Sequence, residues 1–276
     1  MKELRILWLY PDILNLHGDR GNLLALTRLA EVAGVRADVT RVTRLTDPVP
    51  LAEADFVLVG PGELVAMPAV IAALERSGAD FGAYVDAGGV MLVTGTSAAL
   101  VARETRRQDA TTFAGLGLVA ADVVERATVY GDDLILRVRR TTAGPAGPAG
   151  RDTADSGHEL GGFQIRMADL VLEESQAPFA DVLYGLGNRT SAGTGTDTEG
   201  ARRGNLIVTN LLGPALAKNP WYAWDFVQSA LTRKYGEPMA HPAADWTLER
   251  QGAAAIRRFN ATKATVPGVV NRLGAA

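Results

Sequence analysis

Apolar residues first gather at Ile6-Leu7-Trp8-Leu9-Tyr10, a run preceded by Arg5 and ended by Pro11. A short unbroken run of this kind predicts a buried parallel strand. From Gly21 to Val32 the period changes: Leu23, Leu24, Leu26, Leu29 and Ala30 fall on helical spacing, and Gly34 is placed to stop the helix. Strands are expected next over 35–42 and 55–59, the second ending in Gly60-Pro61-Gly62. A helix over 67–76, a fourth strand over 90–93 and a helix over 97–104 follow. Alternating strands and helices predict an α/β fold, a mostly parallel sheet with helices on both faces.

The second half has a different pattern. Residues 123–129 and 134–138 alternate as strands do. The stretch 141–157 consists largely of Gly, Pro and Ala, has little to bury and reads as a disordered surface loop. A second soft loop is expected over 187–204, a helix over 225–234 and helical periodicity over 246–259. With no internal repeat, the expected organisation is one domain over 1–236 and a partly helical tail over 237–276.

Composition narrows the chemistry. Apolar residues make up 47% and charged residues 21% of the 276, as in ordinary globular proteins. A formal charge of -3 argues against nucleic acid as a partner, because phosphate binding needs concentrated positive charge. No apolar run is long enough to span a bilayer, so no membrane insertion is expected. Met1 to Arg5 lacks signal-peptide architecture, and the expected location is the cytoplasm. The absence of cysteine removes thiolate catalysis and Cys-ligated metals. The three histidines, His17, His158 and His241, make a histidine metal site unexpected, and no cofactor is expected.

In an open parallel sheet, ligands bind beyond the carboxyl ends of the strands. Two segments fall there: Gly60-Pro61-Gly62-Glu63 and Thr94-Gly95-Thr96-Ser97. The turn after Val93 is where a nucleophile elbow would stand, facing a helix N-terminus. The plainer reading is that Gly95 only makes the turn between a strand and a helix.

Several separated blocks carry a resemblance. Tyr10-Pro11-Asp12, Asn15 and Gly18-Asp19-Arg20-Gly21-Asn22 form the first, Gly185 and Asn188 the second, and Asp197, Glu199 and Gly200 the third. Asn205, Thr209, Gly213-Pro214 and Lys218-Asn219-Pro220 form the last. Together they resemble the CobB/CobQ-like class I glutamine amidotransferases, and within them the GatD-type glutaminase subunits of lipid II isoglutaminyl synthase. The resemblance covers roughly residues 4–235. It implies a three-layer, flavodoxin-like class I glutamine amidotransferase fold and a MurT-type Mur ligase as partner.

The departures fall on the chemistry. Such enzymes form a thioester at a cysteine, with a histidine moving protons. By the resemblance, Thr94 stands at the cysteine and Leu212 at the histidine. Gly60-Pro61-Gly62-Glu63-Leu64 replaces a Gly-Gly-Gly-Gln-Asp loop, and Gln164-Ile165-Arg166 replaces Glu-Asn-His. Thr128 aligns with the arginine that holds glutamine, while Arg126 lies two residues away. The expectation is therefore a pseudoenzyme with no catalytic residue. Its vestigial pocket would be formed by Gly60, Gly62, Gly95, Thr96, Arg126 and Thr128, with any small-molecule ligand left open. The alternative is an active amidotransferase of altered chemistry, in lipid II or cobyrinate-type amidation.

Other features have plainer readings beside the functional ones. Thr94 as a substitute nucleophile lacks a base. Ser97 reads as a helix N-cap. Asp12, Asp19 and Arg20 read as a stapled turn or a ligand-binding carboxylate pair, and His17 as a loop residue or a helix-entry contact. Asp197, Glu199, Arg202 and Arg203 read as a solvated loop. Trp221, Tyr222, Trp224 and Phe226 read as core, or as an aromatic face for a protein partner.

Overall fold

The computed structural model describes residues 1–139, 159–264 and 266–274; the loop expected at 141–157 lies outside them. The first half runs β1 (Glu3–Leu9), α1 (Arg20–Val32), β2 (Arg36–Val42), β3 (Phe56–Val59), α2 (Met67–Arg76), α3 (Phe81–Asp86), β4 (Val90–Thr94) and α4 (Ala98–Val101). Then come β5 (Glu104–Arg106), β6 (Thr112–Ala114), β7 (Ala121–Val138), β8 (Glu159–Leu172), β9 (Ala180–Gly185), β10 (Thr198–Glu199), β11 (Ala201–Arg203) and β12 (Leu206–Thr209). The chain closes with α5 (Ala215–Lys218), α6 (Pro220–Tyr235), α7 (Thr247–Ala261) and β13 (Val270–Asn271).

One sheet has the order β2-β1-β3-β4-β12-β11, parallel throughout except at the β12–β11 edge. Its first five strands follow the flavodoxin-like doubly wound order. Both faces are buried, and strand alternation divides the residues between them. Leu7, Leu9, Val57, Val59, Met91 and Val93 join the core under α2 and α3, whereas Leu4, Ile6, Trp8, Phe56, Leu58 and Leu92 join the core under α1 and α6. This explains why these strands read as apolar runs with no polar face.

The second sheet has the order β10-β9-β7-β5-β6, with β8 on β7 and β13 on β9. Most of its pairs are antiparallel. Between β7 and β8 the register shifts: Glu125 pairs Ala168 and Tyr130 pairs Arg166, so residues 126–129 oppose Met167 alone. The strands expected over 123–129 and 134–138 are thus one long strand with a wide bulge.

Other expectations need correction. The helix expected over 97–104 is a 3-10 turn at Gly95–Ser97 and one turn of α4. It ends where Ala102 turns extended and Arg103 N–H donates to the Ala121 carbonyl, starting β5. The soft loop expected over 187–204 contains β10 and β11. It is tied by Asn188, whose Nδ2 donates to the Gly200 carbonyl (2.9 Å) and whose Oδ1 accepts from Gly200 N–H (3.0 Å). The helix expected from residue 225 begins at Pro220, a residue suited to the first helical turn. In the tail, Trp246 packs into the main core and Leu273 into a small cluster with Ile135, Leu183 and Tyr184. Among the described residues no helix is long and apolar enough to cross a membrane.

Candidate functional site

β3 and β4 end side by side at the carboxyl edge of the parallel sheet, with Val59 registered on Val93. β12 is on the other side of β4, with Thr209 on Thr94. Each strand delivers a loop to the same place: Gly60-Pro61-Gly62, Gly95-Thr96-Ser97 and Asn210-Leu211-Leu212.

Thr94 continues β4 with extended backbone (φ -117°, ψ 143°), and the left-handed residue of the turn is Gly95 (φ +58°). Alternation sends the Thr94 side chain into the α1 layer, where it is fully buried. Its hydroxyl is 2.8 Å from Asp19 Oδ1, to which it donates, and 3.3 Å from the Val59 carbonyl. Asn22 Nδ2 donates to the same Asp19 oxygen (2.9 Å). Burial pushes the Asp19 carboxyl up to about 7, against the lowering effect of the Thr94 and Asn22 hydrogen bonds. Asp19 Oδ2 has no hydrogen-bond partner, consistent with a carboxyl that protonates near neutrality. Asp19 is buried whereas Asp12 and Arg20 are exposed, so the three do not form a ligand-binding group. The turn is stapled by Asn15, whose Oδ1 accepts from Arg20 N–H at 3.0 Å, and by the Asn22–Asp19 bond.

Gly95 is the close point of the three loops. A Cβ added there would stand 2.9 Å from Pro61 Cβ and 3.4 Å from Leu212 Cδ2. Leu212 is buried and held by β8: its N–H donates to the Phe163 carbonyl at 2.8 Å. The Gly60–Gly62 loop is fastened to the elbow by two hydroxyls. Ser97 Oγ donates to the Gly60 carbonyl (2.6 Å) and Thr96 Oγ1 to the Gly62 carbonyl (2.5 Å). Ser97 precedes α4 but makes no side-chain cap, so its hydroxyl staples a loop instead.

Beside the elbow lies a cavity of about 10 Å³, whose lining includes Gly95, Thr96, Ile165, Met167, Asp169 and Asn210. That is room for about one water. Of the expected pocket residues, Gly95 and Thr96 line it. Gly60 and Gly62 instead let the 13–14 turn approach: a Cβ on Gly60 would meet the Leu14 carbonyl at 2.4 Å, and one on Gly62 the Leu14 side chain at 2.7 Å. Thr128 is exposed in the β7 bulge, its carbonyl accepting from Arg126 Nε at 3.3 Å. Arg126 turns its Nη1 to Asp169, 2.8 Å from both carboxylate oxygens.

A second buried carboxylate holds the β12 loop. Glu199 Oε2 accepts from Thr209 Oγ1 (2.8 Å), and Oε1 accepts from Asn210 N–H (2.7 Å) and Asn210 Nδ2 (3.2 Å). Burial pushes its pKa up, opposed by these hydrogen bonds and by the charge of Arg166. Glu199 is therefore a buried anchor and not part of a solvated loop; Arg203 does lie at the surface, donating to Asp86 at 2.6 Å. The Asp-x-Glu-Gly block was the signal for this role. Sequence reading missed Asp169 and Arg189, which belong to no motif block. Tyr222, Trp224 and Phe226 are core, as their helical spacing implied. His17, at φ +61°, meets Phe163 edge-on at 6.2 Å, and burial lowers its pKa.

A larger open groove of about 750 Å³ lies elsewhere, its lining including Arg103, Asp122, Glu173 and Glu174. It contains none of the motif residues, and Arg103 is paired with Asp122 and Glu173.

The sheet order, with a strand-to-helix elbow at the carboxyl edge, defines a flavodoxin-like, doubly wound type of α/β protein. No family profile matches the chain. Among curated proteins it is similar to the GatD subunit of lipid II isoglutaminyl synthase (glutamine-hydrolyzing) from Streptococcus pneumoniae (strain ATCC BAA-255 / R6). The two are 24% identical over 251 residues, which cover 90% of this chain and 88% of that one. This similarity supports a GatD-like glutamine amidotransferase family for the chain. Among solved structures, a glutamine amidotransferase has a TM-score of 0.48 at 17% identity, covering 81% of this chain and 98% of its own. The glutaminase domain of Trypanosoma brucei CTPS with bound acivicin has a TM-score of 0.46 at 11% identity, covering 87% of this chain and 96% of its own.

Proposed function

We propose that this chain is a catalytically inactive GatD-like subunit, located in the cytoplasm, that binds and regulates a MurT-type Mur ligase in lipid II amidation. The observation that carries the inactive reading is the elbow. A nucleophile elbow exposes its nucleophile on a strained strand-to-helix turn, and the left-handed residue of this turn is Gly95. We place the nucleophile position at Gly95 on this ground, one residue beyond the Thr94 expected from sequence. Thr94 is fully buried and donates its hydroxyl to Asp19, which removes it from contact with a substrate. Leu212 faces Gly95 and can move no proton. The cavity of about 10 Å³ is far smaller than glutamine requires.

The similarity to a subunit of lipid II isoglutaminyl synthase supports the pathway and a ligase as partner. The test is ammonia and glutamate release from glutamine, measured on the purified chain alone and with a MurT-type ligase. No release in either state, together with a stable complex, is the expected result. Release in either state would overturn the inactive reading, and release that survives Thr94→Ala would exclude Thr94 as its source.

A further inference from the structure

Asp169 of β8 is 2% exposed, and three guanidinium groups converge on it. Arg126 from β7 donates from Nη1 to both oxygens at 2.8 Å, Arg189 donates from Nη1 to Oδ2 at 3.0 Å, and Arg166 holds its Nε 3.7 Å from Oδ1. Guanidinium stays protonated in proteins, so the group carries more positive charge than Asp169 can balance. The neighbouring carboxylate, Glu199, adds its charge to the field of Arg166, but its oxygens accept from Thr209 and Asn210.

Arg166 adds an independent observation. Its side chain is fully enclosed, and its Nη1 donates to the carbonyls of Leu186 (2.9 Å) and Gly187 (2.6 Å). Its Nε and Nη2 have no hydrogen-bond partner. Buried donors left unpaired are costly. Asp169 also lines the cavity beside Gly95. One carboxylate therefore binds the arginines and walls the elbow.

We propose that Arg126, Arg166 and Arg189 form a seat for a carboxylate, which the chain fills with its own Asp169. This occupant in cis closes the cavity beside Gly95 to free carboxylates such as the head of an amino acid. The proposal rests on the reading that the elbow is closed. Its test measures carboxylate binding and that reading's test measures ammonia release, so the two fail separately.

Asp169→Gly removes the occupant and leaves space for acetate, the probe. Acetate is expected to raise the melting temperature of Asp169→Gly, with an apparent affinity about tenfold or more tighter than for the unmodified chain. Chloride at equal ionic strength should not reproduce the effect, and adding Arg126→Met should remove it. An equal response to acetate and chloride, an equal response in the unmodified chain, or a response that survives Arg126→Met overturns the proposal. If Asp169→Gly folds only with acetate present, the refolding yield becomes the readout. Asp169→Ala probed with formate gives a second reading. Failure of both variants to show any carboxylate dependence also overturns it.

Discussion

Leu212 Cδ2 stands 3.4 Å from the point that a Cβ on Gly95 would occupy. A nucleophile and its base need this kind of proximity, and here two groups without a transferable proton share it. Pro61 fills the remaining side, 2.9 Å from the same point. The three loops converge as a catalytic site requires, while the side chains they carry turn the meeting point into a packed junction.

Restoring the two chemical groups is therefore not expected to restore turnover. Gly95→Cys with Leu212→His brings a Cβ against a rigid proline ring at a left-handed backbone position, which should destabilise the chain by about 1–3 kcal/mol. Adding Pro61→Gly should recover part of that loss. Thermal unfolding compares the two variants, and ammonia release from either one would show that the cavity opens enough to admit glutamine.

Thiol chemistry separates Gly95 from Thr94 as the apex. The thiol introduced by Thr94→Cys should stay unreactive toward alkylating reagents until the protein unfolds, because position 94 is fully buried. With Pro61→Gly present in both, the thiol introduced by Gly95→Cys should react faster. Equal rates in the folded state would remove the argument for Gly95.

Thr94→Ala should cost about 1–3 kcal/mol of stability, since it takes a hydroxyl donor from a buried carboxylate. It should leave partner binding unchanged. Denaturant unfolding measures the first effect and titration calorimetry the second.

Asp19 makes stability depend on pH. Its folded pKa of about 7 lies above its ordinary value of 3.8, so the folded state binds the proton more tightly than the unfolded chain does. Its contribution is full below about pH 4 and is lost as pH rises through 7, a change of up to ~4 kcal/mol. Between pH 5 and pH 8 the unmodified chain should lose stability that Asp19→Asn retains. Parallel pH profiles for the two proteins would contradict this.

Glu199→Ala leaves Thr209 Oγ1, Asn210 N–H and Asn210 Nδ2 without their buried acceptor. A loss of about 2–5 kcal/mol is expected. Glu199→Gln should cost less, because the Thr209 hydroxyl can rotate to accept from an amide. Urea unfolding of the pair checks the order.

Taken alone, the sequence determined those properties that depend on neighbours along the chain. The apolar runs of β1, β3 and β4, the period of α1 and α2, and the parallel class of the sheet were legible because burial on both faces leaves a local pattern. So were the missing thiol and the leucine before Gly213-Pro214. Tertiary structure decided the rest. α4 is short because β5 must pair with β7. β8 was hidden by Gly161-Gly162, where a Cβ on Gly162 would stand 2.8 Å from Leu211, so glycine there reflects close packing and not a turn. The proposed apex, Gly95, lies one residue from Thr94, and that proposal rests on the backbone angle at a turn held by Pro61 and Leu212. Arg126, Arg166 and Arg189 come from segments far apart in sequence, and their shared interest in Asp169 exists only once β7, β8 and the loop after β9 pack together. Charge and burial at a point in space are sums over distant parts of the chain, which no local pattern records.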